Sequence, residues 1–289
     1  MRNENTASRI FSIANYILLI LLSLSFLYPV FYVIATSLSS PSAIITGKVY
    51  FLPIGLTTAA YRHIFRDSSI IDSFFFTTQL TVLGTVCSLV VTALAAYPLT
   101  RKQLKGSGLI MRLIVFTMYF SGGMIPTYIV VRNLGLFNSV WSLILPVVVD
   151  TFLLIIMISF FRNLPYELEE SAKVDGCSNF LIFLRIFIPL STAIFATLTV
   201  FLSVGYWNTF FNALLYIQDP KKLTLQIKLY QVLDMFSETL TEASGVSTDV
   251  IPENVKGAII VVAVLPIMVI YPFMQKYFVK GATIGAIKG

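Results

Sequence analysis

Apolar residues gather in six long runs, at about 12–36, 74–97, 109–131, 140–161, 189–214 and 257–279, separated by more polar stretches of varied length. Each run is long enough to cross a hydrocarbon layer of about 30 Å at roughly 20 residues per helix. The pattern predicts an all-α integral membrane protein with six transmembrane helices. One polar stretch differs from a simple connector, the insert at 165–189. Glu167, Glu169 and Glu170 follow Pro165, where a helix start tolerates proline and the helix dipole favours carboxylates. Gly176 then stops that helix, and Ser178 can cap a second one whose apolar run ends at Pro189. The insert reads as two short helices meeting at a glycine corner, a shape suited to docking a partner.

Composition agrees with the pattern. Of 289 residues, 57% are hydrophobic and 12% charged, so the whole chain, 1–289, is expected to be one transmembrane domain. Arg2 and Arg9 precede the first run, but the apolar stretch from Ile10 to Leu38 far exceeds the roughly 7–15 residues of a signal peptide, and it reads as an uncleaved span. Placing both termini in the cytoplasm puts twelve of the twenty Lys and Arg residues inside. The short loop Arg101-Lys102-Gln103-Leu104-Lys105 carries the strongest orienting signal. The insert at 165–189 is then cytoplasmic, and the long loop at 215–256 is external, with a helical stretch near 225–236. The net charge of +6 is accounted for by loops, which leaves no basic surface for nucleic acid. Two cysteines, Cys87 and Cys177, on separate levels and a single histidine, His63, offer no metal-ligand spacing.

Several residues inside the runs are candidates for chemistry, each with a structural alternative. Gly84, Ser88, Thr92 and Ala96 make a four-residue stripe of small side chains in the second run, which suits close helix packing. Gly122-Gly123-Met124-Ile125-Pro126 interrupts the third run, either beside a pathway or as simple shape-filling. Asp150 is the only acid well inside a run. Carrying it costs on the order of 2.5–3.5 kcal/mol, so it either lines a polar cavity or holds helices together. Trp207 and Asn208, with Asn212 one turn on, place aromatic faces and amides together as a sugar would require, or else form an interfacial belt. In the external segment at 39–73, Thr57 or Thr58 is expected to cap a short helix bearing Tyr61, Ile64 and Phe65. The end of the chain, from Lys280, is glycine-rich and reads as an irregular tail.

The insert also resembles a known motif. Glu170-Ser171-Ala172, three residues, Gly176, nine residues, and then Ile186-Phe187-Ile188-Pro189 is similar to the EAA loop of ABC-importer permeases, with Asp175 before the glycine; Ser171 and Ile188 depart mildly from that pattern. The likeness extends along the chain through Phe120 to Tyr128, through Trp207-Asn208, and through the Lys-Gly to Gly-Ala-Ile-Lys-Gly end. It is to the carbohydrate branch, to the smaller permease of maltose-type importers, and most of all to the lipoprotein and polysaccharide-derived oligosaccharide permease group. The resemblance implies a type I importer (MetI-like) permease fold with a cytoplasmic coupling helix, in a bacterial plasma membrane. Its partners would be a second, different permease, two ATPase subunits and an external substrate-binding protein, and its solute a sugar or oligosaccharide. Glu170, Ser171, Ala172, Asp175, Gly176, Ile186 and Pro189 would form the ATPase contact, with Gly285, Lys288 and Gly289 reaching the same partner. Asp150, Asn208, Trp207, Gly122 and Gly123 are the candidate pathway residues. No G-x-x-x-x-G-K-[ST] occurs, so ATP and magnesium would belong to the ATPase and this subunit would hold no cofactor of its own. A self-sufficient secondary transporter is the alternative, and would show internal repeats and more intramembrane ionisable groups.

Overall fold

A computed structural model describes residues 6–101, 104–239 and 251–286. Among the described residues the regular structure is helical throughout, with no strand. In chain order the helices are α1 (Thr6–Ser37), α2 (Pro41–Ile45), α3 (Ala59–Arg66), α4 (Ser68–Leu99), α5 (Ser107–Tyr119), α6 (Met124–Asn133) and α7 (Val140–Ile144). They are followed by α8 (Thr151–Arg162), α9 (Glu167–Val174), α10 (Asn179–Ile182), α11 (Ile188–Leu190) and α12 (Thr192–Trp207). The last are α13 (Phe211–Tyr216), α14 (Leu225–Thr239) and α15 (Pro252–Ala286).

Three stretches, Ser8–Ser37, Ser68–Leu99 and Pro252–Pro272, are long and apolar enough to cross a membrane unbroken. Three further stretches pass only as bent pairs: Ser107–Tyr119 with Met124–Asn133 (113°), Val140–Val147 with Thr151–Arg162 (54°), and Asn179–Leu190 with Thr192–Trp207 (79°). The spans therefore number three, or up to six if each bent pair is one span. Each bend has a local cause. Gly123, at φ 85° and ψ 176°, holds a backbone conformation that only glycine adopts readily, and it separates α5 from α6. Pro146 sits in a 3-10 turn, Leu145–Val147, ahead of α8. Pro189, which has no N–H to donate, follows a wide π turn at Phe183–Phe187.

Two expectations change here. The runs at 140–161 and 189–214 are not continuous helices, because each contains a break that a count of apolar residues does not register. The expected irregular tail is helical as far as Ala286. Once a long apolar helix has formed, each added residue gains a hydrogen bond, while a glycine costs only about 1 kcal/mol.

The chain divides into two compact units, Met1–Ile70 with Leu229–Leu265, and Ile71–Lys228 with Pro266–Gly289. In the first unit the most apolar window of α1 is wholly exposed, as for a helix that faces lipid. Its C-terminal end is packed: Gly257 of α15 lies against Val33 and Ser37, where an added β-carbon would come within 3.1 Å of the Val33 carbonyl oxygen. Ser39 donates to the Ala35 carbonyl and accepts from the Ile54 N–H, and the Ser37 and Tyr61 hydroxyls bond at 2.8 Å. Helix α3 forms where expected, with the Thr57 hydroxyl accepting from the Ala59 N–H at its start.

The second unit has two cores. One joins α4, α8, α10 and α12 through Ala96, Met157, Phe161, Ile182, Phe187 and Leu198. The other gathers Leu80, Leu143, Ile144, Tyr206, Tyr216 and Ile227. The small-residue stripe of α4 is buried at Ser88, Thr92 and Ala96, and a β-carbon on Gly84 would meet the Tyr206 ring at 2.7 Å. That stripe lets α12 approach α4 closely.

Candidate functional site

Two places in the second unit concentrate polar groups. The first is an open cavity of about 500 Å³. It forms because α8 and α12 both end beside it. Asp150 is the N-cap of α8, and its Oδ1 accepts the Leu153 N–H at 2.9 Å, satisfying one of the donors a helix start leaves free. Asn208 is the C-cap of α12; its Nδ2 donates to the Val204 carbonyl at 2.9 Å, and its Oδ1 accepts from Gln226 Nε2 at 3.2 Å. Thr209, Asn212 and the rings of Phe152, Phe201, Tyr206, Phe210 and Phe211 are among the other lining groups. The cavity offers flat apolar faces beside amide, hydroxyl and carboxylate groups.

The structure thus brings Asp150 and Asn208 together, although not by helical spacing. Asn208 and Asn212 were expected on one helix face, but the chain leaves the helix between Trp207 and Phe211, and the two amides reach the cavity from either side of that break. Pro146 and the capping preference of Asp150 were the available signals for the neighbouring break at 148–150. Trp207 lies elsewhere. It is buried, edge-on to Phe74 at 5.7 Å, and borders a separate apolar cavity of about 230 Å³ with Thr78, Pro266 and Tyr271. Gly122 and Gly123 mark the bend between α5 and α6 and do not line the Asp150 cavity.

The second place is the insert. Helix α9 begins with Glu167, Glu169 and Glu170, and ends in a tight reversal. Gly176, at φ 78°, sends its N–H to the Lys173 carbonyl while the Cys177 N–H reaches the Ala172 carbonyl, which closes the helix end. Ser178 then caps α10 by accepting the Leu181 N–H. The two-helix corner forms as the residue pattern predicts. Glu170, Ser171, Asp175, Gly176 and Pro189 are exposed, Ile186 is half-buried against the core, and Ala172 is buried. Tyr166, Val174 and Phe180 are also exposed, at 55%, 87% and 62%, so the corner presents apolar side chains beside its carboxylates. Exposed apolar groups in a polar frame are a common mark of a docking face.

Glu169 takes a different role from its neighbours. It is 3% exposed, pairs with Lys173 at 2.7 Å one turn along α9, and forms an ion pair with Arg101 beyond α4. The Arg101 guanidinium lies 4.0 Å over the Tyr97 ring and 4.7 Å over that of Phe187. Desolvation by burial lowers the Arg101 pKa from its usual value, against the opposing pull of Tyr97 and Tyr166. The spacing of Glu169 and Lys173 was a visible hint, whereas Arg101 is 68 positions away and carries no local signal. Gly285 lies in α15, and Lys288 and Gly289 fall outside the described residues. Among the described residues, no group of three or more His, Cys, Asp and Glu could hold a metal ion.

Bent apolar helices, a polar cavity between helix ends and an exposed two-helix corner define a membrane-embedded permease component. The chain belongs to the family described as binding-protein-dependent transport system inner membrane component, whose model matches residues 52–284. It is 43% identical over 288 residues to Protein LplC of Bacillus subtilis (strain 168), covering 99% of this chain and 98% of that one. It is 41% identical over 284 residues to the polygalacturonan/rhamnogalacturonan transport system permease protein YtcP of the same organism, covering 98% and 99% of the two chains. Among solved structures it is similar to a chain of a bacterial ABC transporter involved in the import of the acidic polysaccharide alginate, with a TM-score of 0.88 and 31% identity over 96% of this chain and all of that one.

Proposed function

We propose that this chain is one of two different permease subunits in a binding-protein-dependent ABC importer that brings a sugar or oligosaccharide across a bacterial plasma membrane. The observation that carries the reading is the corner at Gly176, an exposed acidic and apolar knob whose helix is tied to Arg101 through the buried Glu169. Likeness over almost the full chain to permeases named for polysaccharide and oligosaccharide transport supports the class of solute. In this reading the chain crosses the membrane six times with both termini in the cytoplasm. Helix α9 couples to an ATPase subunit through Glu170, Ser171, Asp175 and Gly176, and the end of the chain, including Gly285, Lys288 and Gly289, reaches toward the ATPase pair. Those subunits hold ATP and magnesium. Hydrolysis there rocks the permease pair between outward-open and inward-open states, and the cavity at Asp150 and Asn208 lies along the solute path. An external binding protein delivers the solute.

The test is reconstitution in proteoliposomes. The complete assembly is expected to take up labelled oligosaccharide only with ATP and the binding protein present, and this chain alone is expected to be inert. Uptake by this chain alone, driven by an ion gradient, would establish a secondary transporter instead.

A further inference from the structure

The charges around the Asp150 cavity select among sugars. Asp150 is the one carboxylate among the described residues in the lining, and none of those residues is Lys, Arg or His. A solute carboxylate would therefore find no cation to pair with. The N–H-rich start of α8, another natural anchor for an anion, is already occupied by Asp150 itself, with Oδ1 on the Leu153 N–H. The ionised Asp150 carboxylate is also an acceptor only. The Asn208 and Asn212 amides, each able to donate and to accept, discriminate less, Asn208 being engaged in part by Val204 and Gln226. The Asp150 carboxylate calls for a solute that donates. Sugar hydroxyls donate, whereas a carboxylate only accepts.

We infer that Asp150 is a specificity-determining residue that makes this subunit's share of the pathway prefer neutral, hydroxyl-rich oligosaccharides over those carrying uronic acids. The inference rests on the reading that the cavity lies on the solute path. Its size follows from like-charge repulsion: two unit charges about 10 Å apart at an effective dielectric near 20 disfavour the anion by roughly tenfold.

The test uses the whole importer in nanodiscs without its binding protein, so that only the membrane part discriminates. Saturation-transfer NMR compares trigalacturonate with its carboxyl-reduced, neutral counterpart at millimolar concentration. The neutral probe is expected to bind about tenfold more tightly, and Asp150→Asn, which keeps a capping side chain at this position, is expected to bring that ratio close to about one by strengthening the acidic probe. Equal binding of the two probes by the unaltered importer, or a ratio unmoved by Asp150→Asn, would overturn the inference. A separate arm examines the cavity itself. Asn208→Ala and Asn212→Ala are expected to weaken the neutral probe; if neither does, or if neither probe binds at all, the cavity is not the sugar site, and the reading beneath the inference falls with it.

Discussion

The hydroxyls of Ser88 and Tyr206, 118 positions apart, meet at 2.8 Å inside the second unit. The Tyr206 ring also fills the space that a side chain on Gly84 would need. This contact sets the approach of α12 to α4, and one end of α12 carries Asn208 to the cavity. Tyr206→Phe removes the hydrogen bond but keeps the ring, so a loss of about 1 kcal/mol is expected. Gly84→Val drives branched atoms into that ring, at a cost of about 1–3 kcal/mol from overpacking. Thermal denaturation of the purified assembly, followed by size exclusion, is expected to rank the two variants in that order.

Glu169 and Glu170 are adjacent and should fail in opposite ways. Removing one partner of a fully buried ion pair typically costs about 3–5 kcal/mol, and less, about 1–3 kcal/mol, where the remaining charges keep some solvent, as Arg101 and Lys173 do at 15% and 35% exposure. Glu169→Gln is thus expected to lower the yield and thermal stability of the folded chain. Glu170 is exposed, so Glu170→Gln should leave stability within about 0.5 kcal/mol. Its effect should fall on ATPase stimulation by the loaded binding protein. Equal loss of stability in both variants would contradict the division of roles.

Gly176 separates conformational strain from crowding. Nothing lies within 4 Å of the position its β-carbon would take, so a substitution there acts through φ 78° alone. Asn adopts that region more readily than β-branched residues, for which strain of about 1–3 kcal/mol is expected. Gly176→Val should abolish coupled uptake while the chain still reaches the membrane, and Gly176→Asn should retain a measurable part of it. Uptake assays beside membrane-fraction immunoblots check the pair.

Gly122 and Gly123 offer a matched control at the bend between α5 and α6. A β-carbon on Gly122 would make only an ordinary 3.8 Å contact with Pro126, so Gly122→Ala should change stability by no more than about 0.5 kcal/mol. Gly123 holds φ 85°, and Gly123→Ala should cost about 1–3 kcal/mol. Thermal denaturation of the two single variants distinguishes them.

Membrane character, the approximate positions of the apolar segments, the small-residue stripe of α4 and the two-helix corner at Gly176 were all legible in the residues. Each depends on properties local to the chain, namely apolar length, helical spacing, or a glycine followed by a capping serine. Tertiary structure decided the rest. It separated Trp207 from Asn208, adjacent residues that border different cavities, because α12 ends between them. It made Asp150 a helix cap rather than a residue midway along a helix. It also buried Glu169 against an arginine 68 positions away while leaving Glu170 exposed. Helical periodicity describes neighbours within one straight element. Where a helix breaks, and which distant charge comes to rest beside a carboxylate, depend on how whole elements pack, and no local pattern records that.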